Sequence, residues 1–348
     1  MSDAAELFGE LPPFRPHMLL RSGHAQTLAA TWCGQPKWEE QARQHLVLLP
    51  DADRIVLHED LPSDRSAVNG SVKPAVLMLH GLGGCHRSPY MRWIGRKLNQ
   101  SGFTTYRMDM RNCGAATGLS RFPYHAGRSD DIESAVRYIV QHCGQKQIIV
   151  TGFSLGGSIL LNYLGTRPQD LAGEVLGGVA VCPPLRLEMC VTSIRRSLWG
   201  AYDRHFRRWL TRLVLAQIEQ GTLATPPDRL ALSRCRSLKE FDELYTAPAA
   251  GFGTADSYYS QCSCGDRLKA IRRPTLILTA ADDPMVPAEQ FEPFAGEQHL
   301  AVHVAEGGGH LGFLGRAGDD NDWRWMDWRV VDAVKRLAAA SSRSRAAG

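Results

Sequence analysis

The chain has 348 residues, 44% of them hydrophobic, with 40 basic and 36 acidic side chains and a formal net charge of +4. That length and hydrophobic content suit one large α/β domain with an insertion, or two ordinary domains. The near-balanced charge, with no dense Lys/Arg run beside aromatic residues, argues against a nucleic acid partner, and no run of about 18 apolar residues is available to span a membrane, which leaves peripheral membrane contact open.

Residues 1–43 read as an irregular arm packed on the body, without the basic start and apolar core of a signal peptide. Pro12-Pro13-Phe14-Arg15-Pro16 excludes helix locally. Gly23-His24-Ala25-Gln26-Thr27-Leu28 reads as a short helix, with His24 a packed residue rather than a catalyst. A core then runs over 44–184. Strands are predicted at His45–Leu49 and Arg54–His58, joined by the turn Pro50-Asp51-Ala52-Asp53, followed by a polar loop over 59–74. Ala75–Leu79 is a continuous apolar run, as expected of a strand covered on both faces.

That strand ends in His80-Gly81-Leu82-Gly83-Gly84. Glycines here let the backbone come close to a ligand, and the Leu82 amide is a candidate oxyanion donor. His80 reads as a residue that positions the loop. A helix over 88–100 opens on Ser88 as N-cap, with Pro89 at its first position. A strand follows at Phe103–Met108, and Asp109 at its end is expected to brace the next turn by pairing with Arg111, a catalytic carboxylate being the alternative. Tyr124-His125-Ala126-Gly127 leads into a helix over about 130–142; for His125 a structural role and a place near the site both stay open.

Gln147-Ile148-Ile149-Val150 is rich in β-branched residues, and Ser158–Leu164 reads as a buried helix. Between them lies Thr151-Gly152-Phe153-Ser154-Leu155-Gly156-Gly157. Strand, sharp turn and helix with a serine at the apex is a nucleophile elbow. The turn strains the serine backbone, and side chains two residues to either side would collide with the neighbouring strand and helix. The Leu155 amide, at a helix N-terminus, is the second candidate oxyanion donor.

After a strand at Gly177–Val181, stopped by Pro183-Pro184, the pattern changes. Residues 185–265 read as a helical cap inserted over the carboxyl ends of the strands, where open α/β sheets bind ligands. Arg195, Arg196, Arg204, Arg207, Arg208 and Arg212 punctuate its apolar positions at helical spacing and read as a solvated face, with a lipid-headgroup contact as the alternative. The core resumes over 266–340. It holds a strand at Arg273–Thr279 that ends in Asp282-Asp283-Pro284-Met285-Val286-Pro287, a strand at Ala301–Ala305 followed by Gly307-Gly308-Gly309-His310, and a closing helix over 326–340. Residues 341–348 are expected to fray.

A serine hydroxyl needs a base within hydrogen-bond reach, and that base needs an orienting carboxylate. Ser154, Asp283 and His310 each follow an apolar strand, in the order of α/β-hydrolases. Asp283 is preferred to Asp282 because it stands three residues before Val286 in its turn; Asp282 is then expected to face outward or cap the turn. Nine irregularly spaced cysteines read as reduced thiols in a cytoplasmic protein, and no zinc-like pairing of cysteines is present. No step of this chemistry calls for a metal or organic cofactor.

The chain resembles the α/β-hydrolase family of bacterial YheT-type and eukaryotic ABHD-type proteins. The resemblance is carried by Gly23-His24-Ala25-Gln26-Thr27, His80–Gly84, Arg111-Asn112-Cys113-Gly114, Tyr124–Gly127, Gly152–Gly157, Phe241-Asp242 with Thr246-Ala247-Pro248 and Gly251-Phe252, Tyr258-Tyr259, Asp282-Asp283-Pro284 and Gly308–Phe313. It implies a mostly parallel sheet flanked by helices, an inserted helical cap, and a triad of Ser154, Asp283 and His310. It also implies hydrolysis of short- to medium-chain acyl esters, monoacylglycerols included. Unlike the eukaryotic relatives, this sequence shows no N-terminal membrane span, which implies a soluble bacterial-type enzyme. The alternatives are a thioesterase or acyltransferase using the same triad, and a non-catalytic ligand-binding protein.

Overall fold

The computed structural model describes residues 3–32, 34–36, 42–63, 73–316, 318 and 320–346. Most of the polar loop expected over 59–74 therefore lies outside the described residues. Two helices open the chain, α1 (Ala4–Phe8) and α2 (Gly23–Trp32), so the arm is more regular than expected. Next come β1 (Arg43–Leu48), β2 (Arg54–Asp60), β3 (Ala75–Leu79), α3 (Pro89–Gln100), β4 (Thr105–Asp109), α4 (Ser129–Cys143), β5 (Ile148–Phe153), α5 (Leu155–Thr166) and β6 (Val175–Val181). Between β6 and the next strand stand α6 (Leu187–Arg196), α7 (Ala201–Gln220), α8 (Arg229–Arg234), α9 (Leu238–Phe241), α10 (Ala247–Ala249) and α11 (Ala255–Cys262). The chain closes with β7 (Thr275–Ala280), β8 (Leu300–Ala305) and α12 (Trp325–Ala346).

The strands form one sheet in the order β1-β2-β4-β3-β5-β6-β7-β8. β1 and β2 pair antiparallel, as do β2 and β4, and every other neighbouring pair is parallel. Each parallel step is made through a segment that covers one face, so both faces of β3, β4, β5 and β7 are buried along their whole length. The period of two divides their side chains between two cores. Leu77, Leu79 and Val150 join Ile132, Val136 and Leu160 on one face. Val76, Met78 and Ile149 join Phe8, Ile94 and Val330 on the other. At the sheet edge β1 alternates exposed and buried residues instead.

Ser88 occupies the N-cap position of α3 with Pro89 behind it, but its hydroxyl accepts from the Cys85 amide (3.0 Å) and not from the helix. Left-handed Gly144 ends α4 (φ 71°). α12 runs through Ala346, past the boundary expected at 340, because Ala338-Ala339-Ala340 and the Ser/Arg stretch after it contain no residue that breaks a helix. The eight described cysteines are free thiols. Among the described residues no helix is long and apolar enough to cross a membrane.

Candidate active site

β5 delivers the elbow. Ser154 sits at φ 51°, ψ −122°, a strained conformation for an L residue, and α5 begins at the next position. Flanking glycines are required by close approach. A Cβ on Gly152 would lie 2.4 Å from the Gly156 carbonyl oxygen, and one on Gly156 would lie 2.5 Å from the carbonyl oxygen of His80. The β3 loop is pressed just as closely, since a Cβ on Gly81 would meet the Ser154 Cβ at 3.0 Å.

Ser154 Oγ lies 2.8 Å from His310 Nε2. His310 Nδ1 lies 2.8 Å from Asp283 Oδ2. The other oxygen of Asp283 accepts from the amides of Met285 (2.8 Å) and Val286 (3.0 Å), which fixes the carboxylate in its turn. Of the predicted pair of aspartates, then, Asp283 meets the imidazole. Asp282 neither faces outward nor caps its own turn: its Oδ1 accepts from the Gly309 amide at 2.8 Å and anchors the histidine loop.

Leu82 and Leu155 both border the cavity beside Ser154. The neighbouring amides of the β3 loop are committed elsewhere: Gly81 N–H donates to Tyr90 Oη (2.9 Å), Gly83 N–H to Tyr124 Oη (3.0 Å) and Gly84 N–H to the Gly81 carbonyl (3.0 Å). Leu82, which borders the cavity, keeps the loop's candidate donor amide. Leu155 opens α5, and amides of a first helical turn have no intrahelical acceptor. His80 holds this loop as expected. Its Nδ1–H donates to the Gly81 carbonyl (2.8 Å), its Nε2 accepts from the Met110 amide (3.2 Å), and burial lowers its pKa, keeping the ring neutral.

Two pairings differ from expectation. Asp109 does not pair with Arg111. It accepts from His58 Nε2 (3.0 Å), from His86 Nδ1 and its amide (both 2.6 Å) and from the Ala115 amide (2.8 Å). Burial alone would raise the Asp109 pKa, but the His58 and His86 hydrogen bonds hold it well below the usual carboxylate range. The His58 and His86 rings stack at 3.5 Å with planes 13° apart, so two parallel imidazoles and one carboxylate tie β2, β4 and the loop after β3 together. Arg111 instead bridges Asp51, Asp53 and Asp131. His125 lies outside the cavity; burial pushes its pKa down to about 3, and its Nδ1 accepts from the Gly127 amide (3.1 Å), a structural role.

The arm supplies residues to which the sequence alone assigns no role. Thr27 Oγ1 accepts from the His310 amide (2.9 Å) and donates to the Gly23 carbonyl (2.7 Å). Gln26 donates to the carbonyls of Leu20 (2.6 Å) and Leu314 (3.0 Å) and accepts from the Leu314 amide (2.7 Å). Gly23 is packed so tightly on Asp282 that a Cβ would sit 1.8 Å from its carbonyl oxygen. His24 stacks on Tyr202 of α7, rings 5.8 Å apart. Helix α2 is thus a buckle joining the Asp282 turn, the His310 loop and the inserted helices. Thr27→Val is expected to lower kcat roughly tenfold with KM nearly unchanged, because it frees the His310 amide, a buried donor worth about 1–3 kcal/mol. Steady-state kinetics alongside a melting curve checks it.

The cavity over Ser154 and His310 is walled mainly by apolar side chains of the helices between β6 and β7, among them Leu187, Ile194, Phe206, Leu210 and Val214. Asp242, Tyr245 and Thr246 line it from a π-helical turn spanning Asp242–Thr246. Burial pushes the Asp242 pKa up to about 6, although Tyr259 Oη donates to it at 2.7 Å. The sign follows: an unfolded Asp ionises near 3.9, so stability is lost as pH rises from there to about 6 and the loss then levels off. Asp242→Asn is therefore expected to raise Tm by a few degrees at pH 8 and to change it little at pH 4, reflecting about 3 kcal/mol of ionisation cost.

Residues 74–317 match the α/β hydrolase fold family. The Escherichia coli protein YheT is 31% identical over 84% of this chain and 85% of its own. A monoacylglycerol lipase of Saccharomyces cerevisiae is 28% identical over 73% of this chain and 58% of its own length. An esterase of Pyrococcus furiosus superposes with a TM-score of 0.58 at 16% identity, over 87% of this chain and 95% of that one, a likeness of fold. The chain belongs to the α/β hydrolase fold family, in its YheT- and ABHD-type branch.

Proposed function

We propose that this carboxylic ester hydrolase works through an acyl-enzyme on Ser154. The observation that best supports this reading is the continuous line from Ser154 Oγ through His310 to Asp283, two hydrogen bonds of 2.8 Å each. His310 Nε2 takes the hydroxyl proton as Oγ attacks the acyl carbonyl. The Leu82 and Leu155 amides receive the oxyanion, and Asp283 steadies the imidazolium. The C–O bond to the alcohol breaks and His310 returns the proton to the leaving oxygen. A water deprotonated by His310 then attacks the acyl-enzyme, and the acid leaves with Ser154 restored.

Substrates are small acyl esters or lipids. The apolar cavity supports a short- to medium-chain acyl group, and the name of the yeast monoacylglycerol lipase supports monoacylglycerols within that class. We read residues 185–265 as the cap that sizes the chain, and the free thiols as support for a cytoplasmic setting.

Hydrolysis of p-nitrophenyl esters from acetate to palmitate tests this, together with labelling by a serine-directed phosphonate. Turnover with an optimum at short to medium chains is the expected result, and Leu210→Trp, which narrows the cavity, shifts that optimum to shorter chains. Labelling without ester turnover would redirect the reading to thioesters or acyl transfer. Neither labelling nor turnover would leave a ligand-binding protein.

A further inference from the structure

Between α6 and α7 the backbone turns through Leu198 (φ 46°) and Trp199 (φ 51°) into Gly200 (φ 76°). Successive left-handed residues that are not glycine are uncommon and costly. The outcome here is a tryptophan held 90% exposed, with its carbonyl clamped by Arg204 Nη1 at 2.7 Å. Along the outer face of α7, Arg204, Arg208 and Arg212 follow one another at four-residue intervals beside His205, and all four are exposed. Arg195 and Arg196 are exposed at the end of α6. Among the described residues none of these five arginines forms an ion pair with a carboxylate.

Local acids do not offset this charge. From residue 186 to 212 the chain has seven arginines against Glu188 and Asp203. Asp203 is buried and its carboxylate accepts from the Leu238 amide. Like charges four apart on a helix repel, so the isolated protein carries an unfavourable stripe that an external anionic surface would relieve.

The inner face of the same helix belongs to the cavity, through Phe206, Leu210 and Leu213. Trp209 packs on the oxyanion loop, where a Cβ on Gly83 would meet its ring at 3.3 Å. One helix thus carries a basic outer face, an exposed tryptophan at its start and an apolar wall of the substrate cavity. Basic amphipathic helices with an aromatic anchor settle at lipid–water interfaces.

We propose that the outer face of α7 and the turn before it dock on an anionic phospholipid surface, with Trp199 inserted at the headgroup level. A polyanion such as RNA would meet the arginines equally well and would stack a base on Trp199, but it gives the adjoining apolar cavity no role. Docked this way, a fatty ester dissolved in the bilayer reaches the cavity along α7.

Co-sedimentation of the full chain with vesicles tests the proposal, comparing phosphatidylcholine alone with phosphatidylcholine mixed with phosphatidylglycerol. Each arginine near an anionic leaflet is worth about a fivefold gain in partitioning. Arg208→Glu combined with Arg212→Glu is therefore expected to lower binding to the mixed vesicles by about 25-fold or more, and added salt to weaken it. Trp199→Ala weakens binding further, and these variants keep wild-type turnover of a water-soluble short-chain ester because none of the three side chains lines the cavity. Ser154→Ala binds vesicles like the parent, so docking is judged apart from the proposed chemistry. Equal partitioning onto both vesicle types, or unchanged binding after charge reversal, overturns the proposal. So does RNA binding as tight as that to mixed vesicles.

Discussion

Ser154→Ala is expected to leave a folded protein whose kcat/KM for p-nitrophenyl esters falls by roughly 10⁴-fold or more. The substitution removes the attacking oxygen and nothing else of the elbow. Alanine bears about the same backbone strain as serine at φ 51°, and the glycines on either side stay in place. The side-chain hydrogen bond it removes is the one to His310. Melting temperature therefore moves little while turnover and phosphonate labelling vanish together. A variant that retained more than about a hundredth of the parent rate would require another nucleophile.

The two adjacent aspartates separate in activity just as clearly. Asp283→Asn is expected to cost roughly 10⁴-fold in kcat. An amide facing His310 Nδ1 either presents an N–H to it and imposes the wrong tautomer, or presents an uncharged oxygen that steadies the imidazolium poorly. Asp282→Asn keeps an oxygen for the Gly309 amide, which its carboxylate now meets at 2.8 Å, and is expected to cost about tenfold or less. Parallel kinetics of the two variants, with circular dichroism to establish the fold, checks the difference; equal losses would mean that the histidine loop, and not the imidazole, is the sensitive part.

Legibility in the sequence depends on how local each signal is. The elbow is a rule of sterics within seven residues, so Ser154 and its glycines can be read directly. The strands β3, β5 and β7 announce themselves as apolar runs because both their faces are covered. Proximity suggests Arg111 as the partner of Asp109, whereas its actual partners come from β2 and the loop after β3: His58 is 51 residues distant and His86 23. Long-range pairing across a sheet leaves no trace in spacing. Helix α2 is hard to interpret for a related reason. Gln26 and Thr27 bury it through hydrogen bonds to residues 288 and 283 positions away, so no apolar stripe marks the face it uses. The π turn at Asp242–Thr246 is equally silent, since nothing in its composition marks an extra residue per turn.

The span between Thr27 and His310, 283 residues, sets an order of events during synthesis. The arm leaves the ribosome 283 residues ahead of its partner. At about 5–20 residues per second, tens of seconds separate the two. Until the histidine loop closes on Thr27, a nascent chain can own a finished elbow and still lack a supported base. The newborn enzyme is in this sense its own zymogen, activated by the arrival of the histidine loop and not by cleavage.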